Sequence, residues 1–283
     1  MGDNEVAALR ALTGGDLPGA REALASGVTR PLLNAALGTY LAGAGDGEVY
    51  DRPAAFTAFI RGGGNVGLYE AVSTALAELY DRHDVTTLLD IGCGDGQALV
   101  PAIAGRTPAV TLVEPSRALL DAAVAALDRV PVTAHNTDVA TFAESVTDRF
   151  DLAESTFALH ALPHGERSAV LTTLHGHVSR LVLAEFDVPG HPVGSAAHLT
   201  FLADTYEQGL AEYESDRDLV AQGFLMPVLT GQLEPGAHRS TWEQPATAWA
   251  EQVRSCGYDE VMLEPVYHYW SAPAFLLTAR GGA

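Results

Sequence analysis

Lysine is missing altogether, and all 16 basic residues of this 283-residue chain are arginine. That excludes a Schiff-base amine and the lysine of a phosphate-binding P-loop. Positive charge is scarce in any form, because 36 acidic residues leave a formal net charge of −20. Binding a phosphate backbone needs clustered positive charge, so nucleic acid is not expected as a partner, and anionic membrane surfaces are disfavoured. Cysteine is nearly absent too. Cys93 and Cys256 are the two present, which gives no disulfide framework. No apolar run approaches the roughly 20 residues needed to span a bilayer. The start, MGDNEVAALRAL, has no basic region ahead of an apolar core and is not a secretory signal. A cytoplasmic protein is the simplest expectation. Repeats and low-complexity tracts are also lacking.

What the chain does have is an organising stretch, Leu88 to Gln97, reading LLDIGCGDGQ. Val85 to Leu89 is short, apolar and β-branched, as suits a buried parallel strand. Asp90 closes that strand. Gly92, Gly94 and Gly96 follow at every second position, and Ala98, Leu99, Ala102 and Ile103 resume the apolar pattern with helical spacing. Strand, glycine turn and helix start make a ligand cradle, since glycine brings backbone close to a ligand and a helix N-terminus offers free N–H donors. Gln97 stands where the dinucleotide fingerprint GxGxxG needs its third glycine. A second strand, Ala109 to Val113, ends at Glu114. An acid there can accept hydrogen bonds from both ribose hydroxyls or act as a helix-capping charge.

Further strands are expected at Pro131 to Ala134, Phe150 to Ser155, Leu181 to Phe186, Glu260 to Tyr269 and Ala274 to Thr278. Successive β-α units in this order imply a Rossmann-like α/β fold, with ligands outside the C-terminal strand ends. Asp90, Glu114, Asp138, Ser155 and Glu185 fall at those ends. Asp138 precedes a helix and also suits an ordinary N-cap. Residues 4–27 read as helix broken at Gly14-Gly15-Asp16, and Pro31 opens a further segment. Gly43 to Asp51 reads as a polar loop, and Pro53 and Val66 begin further helices. We therefore expect an N-terminal helical cap over 1–60. A Rossmann-like domain over 61–283 would follow, with a seven-stranded, mostly parallel sheet and a helical insert over 188–243. Arg61 to Asn65, RGGGN, is either a helix end followed by an Asn65 N-cap or a loop closing over the ligand.

DIGCGDG resembles motif I of the class I S-adenosylmethionine-dependent methyltransferases, an acidic residue followed by GxGxG. The resemblance covers roughly residues 60–283 and implies S-adenosylmethionine as cofactor, held by Asp90, Gly92, Gly94 and Gly96. It implies that Glu114, in a Glu114-Pro115-Ser116 match to motif II, takes the ribose. Asp138 and Val139 would lie beside the adenine and Arg61 would pair with the methionyl carboxylate, while Ser155, from its place at the end of strand four, is expected among the cofactor-binding residues. Leu159-His160 fits a leucine-histidine pair of the family. The implied reaction is methyl transfer to a small-molecule acceptor in specialised, natural-product (antibiotic-type) metabolism, with a homodimer as a possible assembly. FIRGGGNVGLY is similar to methyltransferases of 2-oxo acids such as 2-ketoarginine, which would make the reaction a C-methylation.

Ten histidines raise the question of a metal. His160 and His164 are four apart, but Pro163 interrupts the helix that would align them. His175 and His177 flank Gly176, and no HExxH occurs, so no metal is expected. His160 reads as a general base or polar contact for the acceptor, against a satisfied structural histidine. Tyr206, Tyr213, Phe224, Trp242 and Tyr267 to Trp270 either line an acceptor pocket or belong to the core. The acceptor is expected between His160, the cap and the insert helix near Tyr206. Two rivals stand: a nicotinamide-dependent oxidoreductase, against which Gln97 and the lack of a Tyr-x-x-x-Lys pair count, and a non-catalytic S-adenosylmethionine-binding protein.

Overall fold

The computed structural model describes residues 3–43, 53–237 and 239–283. All of the loop expected over Gly43 to Asp51, save its first residue, lies outside the described residues. Seven strands form one sheet: β1 (Thr87–Ile91), β2 (Ala109–Val113), β3 (Val132–His135), β4 (Leu152–Thr156), β5 (Arg180–Phe186), β6 (Asp259–Tyr267) and β7 (Ala274–Arg280). Their order is β3-β2-β1-β4-β5-β7-β6. The first five are parallel, and β7 runs antiparallel to both β5 and β6. The order reverses direction at β1, between β2 and β4, which is where open α/β sheets bind ligands. Asp90 lies within β1 and does not end it. Its cross-strand partner in β4 is a second acid, Glu154.

Side chains alternate across the strands, and the two faces of the sheet differ in consequence. Leu89, Ile91, Ala153, Leu181 and Leu183 point to a core shared with Phe142, Leu171, Trp249 and Val253. These come from helices Val139–Ser145, His164–His175 and Ala246–Ser255. Asp90, Leu112 and Glu154, in register with one another, leave on the opposite face. Tyr80 of helix Asn65–Arg82 meets Glu154 there.

The chain divides into two compact units. A sheet unit holds Gly67–Val188, Thr241–His268 and Pro273–Ala283, and a helical unit holds the residues up to Val66, Pro189–Ser240 and Tyr269–Ala272. This partition differs from the expected 1–60 and 61–283. Of the expected 188–243 insert, Pro189–Ser240 groups with the N-terminal helices because their apolar faces share one core, while Val188 and the residues from Thr241 stay with the sheet. Leu9, Leu12, Leu33 and Leu37 are buried with Leu199, Leu202, Leu210 and Leu229. Its helices are Asn4–Thr13, Leu17–Ala25, Pro31–Ala42, Pro53–Ile60, Ala196–Ala211 and shorter pieces, the first two broken at Gly14-Gly15 as expected. Glu207 ties two of them together by accepting the first-turn N–H groups of Leu32 (3.2 Å) and Leu33 (2.7 Å). Asn65 is not an N-cap. It is the first residue of its helix, and its buried amide donates to the Phe59 carbonyl and the Tyr213 hydroxyl. Among the described residues no helix is long and apolar enough to cross a membrane.

Candidate active site

The glycine turn leaves β1 with φ near +69°, +53° and +80° at Gly92, Gly94 and Gly96, left-handed values that disfavour any side chain. Gly92 N–H donates to the Val113 carbonyl (2.8 Å) and Gly96 N–H to that of Cys93 (2.9 Å). A Cβ on Gly92 would stand 2.4 Å from the Ala158 methyl, and one on Gly96 would stand 2.9 Å from Val100 Cγ2. Both positions are therefore closed by the protein's own packing. A Cβ on Gly94 would meet no atom of the described residues within 4 Å. The middle of the turn thus borders open space, and a cofactor lying against the backbone there fits. The helix after the turn spans only Leu99–Ala102. The cradle accordingly comes from the glycine backbone and not from a long helix aimed at the site.

Glu114 staples this turn to the next loop. Its carboxylate accepts from Gly94 N–H (3.1 Å) and Ser116 N–H (2.8 Å), leaving further lone pairs for ribose hydroxyls. Burial raises its pKa, and the two backbone donors oppose that rise. Asn136 fixes the loop from beyond β3 by donating to the Glu114 (3.0 Å) and Pro115 (2.8 Å) carbonyls. Burial, reinforced by Glu114, pushes Asp90 up to about 7. Glu154 is raised well above the usual carboxylate range, by burial and then by Asp90. Sequence reasoning missed Glu154. Its one signal was an acid inside an otherwise apolar strand.

Asp138 caps helix Val139–Ser145, both carboxylate oxygens accepting from Thr141 (N–H and Oγ1, each 2.8 Å), which lowers its pKa. Val139 is half-buried against the core of the sheet unit. Ser155 is buried. Its neighbours in the alternation put it on the face opposite Asp90, and among the described residues its Oγ has no hydrogen-bond partner. The structure thus brings Asp90, the three glycines and Glu114 together and turns Ser155 away from them. Arg61 belongs to the helical unit.

Beyond β4 the chain turns through Phe157, at φ near +51°, into a single 3-10 turn, Leu159–Ala161. His160 is mostly buried, its side chain 16% exposed, and Glu185 at the end of β5 holds it twice. Nδ1 lies 2.8 Å from Oε2, and the backbone N–H donates to Oε1 (3.1 Å). With Nδ1–H donating to the carboxylate, Nε2 keeps its lone pair. Burial alone would lower the His160 pKa, but the Glu185 charge and hydrogen bond outweigh it and the net shift is upward. The turn itself hangs on Arg167, which is fully buried. Its guanidinium donates to the carbonyls of Leu159 (2.9 Å), Leu162 (3.0 Å) and Trp242 (2.7 Å) and lies 3.9 Å from the Trp249 ring centroid. Burial brings its pKa down to about 10. Trp242 closes the ring by donating its N–H to the His160 carbonyl (2.7 Å).

Of the aromatics considered for the acceptor, Tyr206 and Tyr213 are core residues of the helical unit. Trp242 serves through its backbone. Half-buried Phe157 and Phe186, which the sequence did not single out, stack near the His160 turn at 4.6 Å, with Tyr69 edge-on at 5.8 Å. His164 starts the next helix and approaches the Trp242 carbonyl (3.3 Å). Among the described residues, no three His, Cys, Asp or Glu side chains are grouped as metal ligands.

Residues 88–180, from β1 into β5, match the family model of a methyltransferase domain. This stretch is a methyltransferase domain. The enzyme class and S-adenosylmethionine as methyl donor follow from the domain, and the oxidoreductase rival falls away. The solved structures similar to the chain share its fold at low identity. The magnesium protoporphyrin IX methyltransferase of Synechocystis PCC 6803, solved with bound S-adenosylmethionine, is 15% identical with a TM-score of 0.50, over 84% of this chain and 86% of that one. Mitomycin 7-O-methyltransferase gives 17% and 0.51, over 94% and 72%. An O-methyltransferase family protein from Burkholderia thailandensis gives 15% and 0.53, over 76% and 57%. At these identities they show the fold alone. No curated protein matches the sequence.

Proposed function

We propose that this methyltransferase acts on a small-molecule hydroxyl acceptor, with His160 as general base, and that its reaction belongs to specialised metabolism. The carrying observation is the His160–Glu185 pair at the end of β4 and β5, which engages Nδ1 at a mostly buried position, so that in the neutral ring with Nδ1 protonated Nε2 is the nitrogen able to accept a proton. Asp90, Gly92, Gly94, Gly96 and Glu114 hold the cofactor, with the backbone at Asp138 and Val139 toward the adenine, since the Asp138 carboxylate is taken up by Thr141. S-adenosylmethionine supplies an electrophilic methyl group on a positively charged sulfur. The protein's share is to align the acceptor, exclude water and receive one proton. His160 Nε2 takes that proton as the acceptor oxygen is methylated, and Glu185 stabilises the imidazolium that results. The name of one structural neighbour, mitomycin 7-O-methyltransferase, supports a natural-product acceptor.

C-methylation of a 2-oxo acid would need the same base but also a cation for the acceptor carboxylate. Arg167, the buried cation next to this turn, is committed to peptide carbonyls, and the other charges acting on His160 are the carboxylates Glu185 and Glu243. That environment favours a neutral hydroxyl.

The test uses a panel of hydroxyl compounds screened by mass for addition of one methyl, followed by single turnovers. His160→Ala is expected to turn over about 10²–10⁴-fold more slowly, with S-adenosylhomocysteine affinity unchanged. The wild-type rate should fall as pH drops through the raised His160 pKa, because only the neutral ring accepts a proton. Glu185→Gln removes the charge that raises that pKa, so the acid limb should move to lower pH. Normal turnover in His160→Ala would remove His160 from the mechanism.

A further inference from the structure

Asp90 and Glu154 face each other across β1 and β4, their Cα atoms paired in the parallel register. Side chains at such positions leave the sheet on the same face. Both are buried, at 3% and 1% exposed, and among the described residues neither forms an ion pair. Tyr80 donates its hydroxyl to Glu154 Oε2 (2.5 Å). Glu154 Oε1 is shut off from solvent and has no donor among the described residues.

Among the described residues the surrounding groups offer no compensating charge at contact. Glu114 faces Asp90 from the end of β2, Cys93 from the turn, and Tyr69 and Tyr80 from helix Asn65–Arg82. Arg106, the cation acting on Tyr80, is itself held by Asp81. Two neighbouring carboxylates so placed cannot both ionise without a large cost, and one of them retains a proton. The upward shifts of both groups agree with this.

Resting on the reading that Asp90 belongs to the cofactor site, we propose that Asp90 and Glu154 hold a single proton between them at neutral pH. Glu154 is then a positioning residue, a neutral acid that keeps the Asp90 carboxylate singly charged and oriented beneath the glycine turn. The missing donor at Oε1 is explained directly, since that oxygen carries the proton and donates toward Asp90. Tyr80 fixes the acid from the other side through Oε2, so hydroxyl, acid and carboxylate form one directed chain. A glutamine at 154 reproduces the pattern, with its carbonyl accepting from Tyr80 and its amide donating to Asp90.

The experiment is infrared spectroscopy of the whole protein at neutral pH, paired with calorimetry of S-adenosylhomocysteine. Wild type should show the carbonyl stretch of a protonated carboxyl group, and Glu154→Gln should lack it. Glu154→Gln should keep S-adenosylhomocysteine affinity within twofold, while Glu154→Leu, which leaves Asp90 without a donor, should lose at least tenfold. A raised folded pKa contributes stability that is present at low pH and lost as pH rises through it. Wild-type stability should therefore fall as the shared proton leaves, and Glu154→Gln should show no such step. If Glu154→Leu does not fold, the infrared band and the glutamine variant still decide. Absence of the band in wild type, or a glutamine variant as damaged as the leucine variant, overturns the proposal. If Gly94→Leu binds S-adenosylhomocysteine normally, the cofactor reading fails instead, whatever the infrared result.

Discussion

The glycine turn after β1 and the His160 turn after β4 close neighbouring strands of one sheet, and they are held in place by different means. The first is kept by its own backbone and by an acid from the next strand. Gly92 bonds to Val113, Gly96 to Cys93, and Glu114 bonds back to Gly94. The second is kept by side chains and carbonyls from far along the chain, with Glu185 fixing the imidazole, Arg167 gathering three carbonyls, and Trp242 closing the ring. A contiguous device puts its conformational demands into adjacent residues, so it leaves a motif. A dispersed one spreads them over separate elements and leaves almost none.

The comparison breaks most sharply at Gly94. Leucine there forces a side chain into left-handed backbone, costing about 1–2 kcal/mol, and fills the space bordering the turn. Binding of S-adenosylhomocysteine should become undetectable by calorimetry while the protein stays folded. Alanine should retain measurable affinity, and unchanged binding in both variants would show that the turn does not border the cofactor. Next in size is Arg167→Lys. An ammonium cannot reproduce a planar fork donating to three carbonyls, and each acceptor left unpaired costs about 1–3 kcal/mol. Chemical denaturation should show a loss of about 2–4 kcal/mol, with turnover falling further than S-adenosylhomocysteine affinity. Equal losses of both would mean that the two turns are not separable. The smallest effect is expected at Asp138, whose carboxylate is occupied by Thr141. Asp138→Ala should cost about 1 kcal/mol of stability through the lost cap, read as a shift in the denaturation midpoint, with less than a threefold change in S-adenosylhomocysteine affinity.

All seven strands were legible, because short apolar runs bounded by turn residues mark strands whether their neighbours run parallel or antiparallel. Glu114 was legible through its distance from the glycine turn. Glu154 was not, because an acid inside a strand acquires meaning only from the register that sets it across from Asp90. Arg167 was invisible for a different reason. An arginine in a helix ordinarily reads as solvent-facing, and its burial depends on carbonyls of Leu159, Leu162 and Trp242 that no local pattern brings together. Ser155 was counted at a strand end, although period-two alternation within β4 turns it to the opposite face from Asp90. The grouping of Pro189–Ser240 with the N-terminal helices escaped notice because apolar helix faces do not state which other helices they match.

The backbone passes from one unit to the other after Val66, Val188, Ser240, His268 and Ala272. Neither unit can therefore be inherited, deleted or exchanged by a single cut in the gene. A recombinant that borrowed the helical unit from a relative would have to import three separate stretches. The shortest of them, Tyr269–Ala272, is the easiest to overlook. It carries the Tyr269 hydroxyl that donates to Asn65 (3.2 Å) and the Trp270 ring packed edge-on to Tyr206 at 5.9 Å. A graft that left those four residues behind would join two lineages at their least conspicuous seam and deprive the Asn65 amide oxygen of its Tyr269 donor.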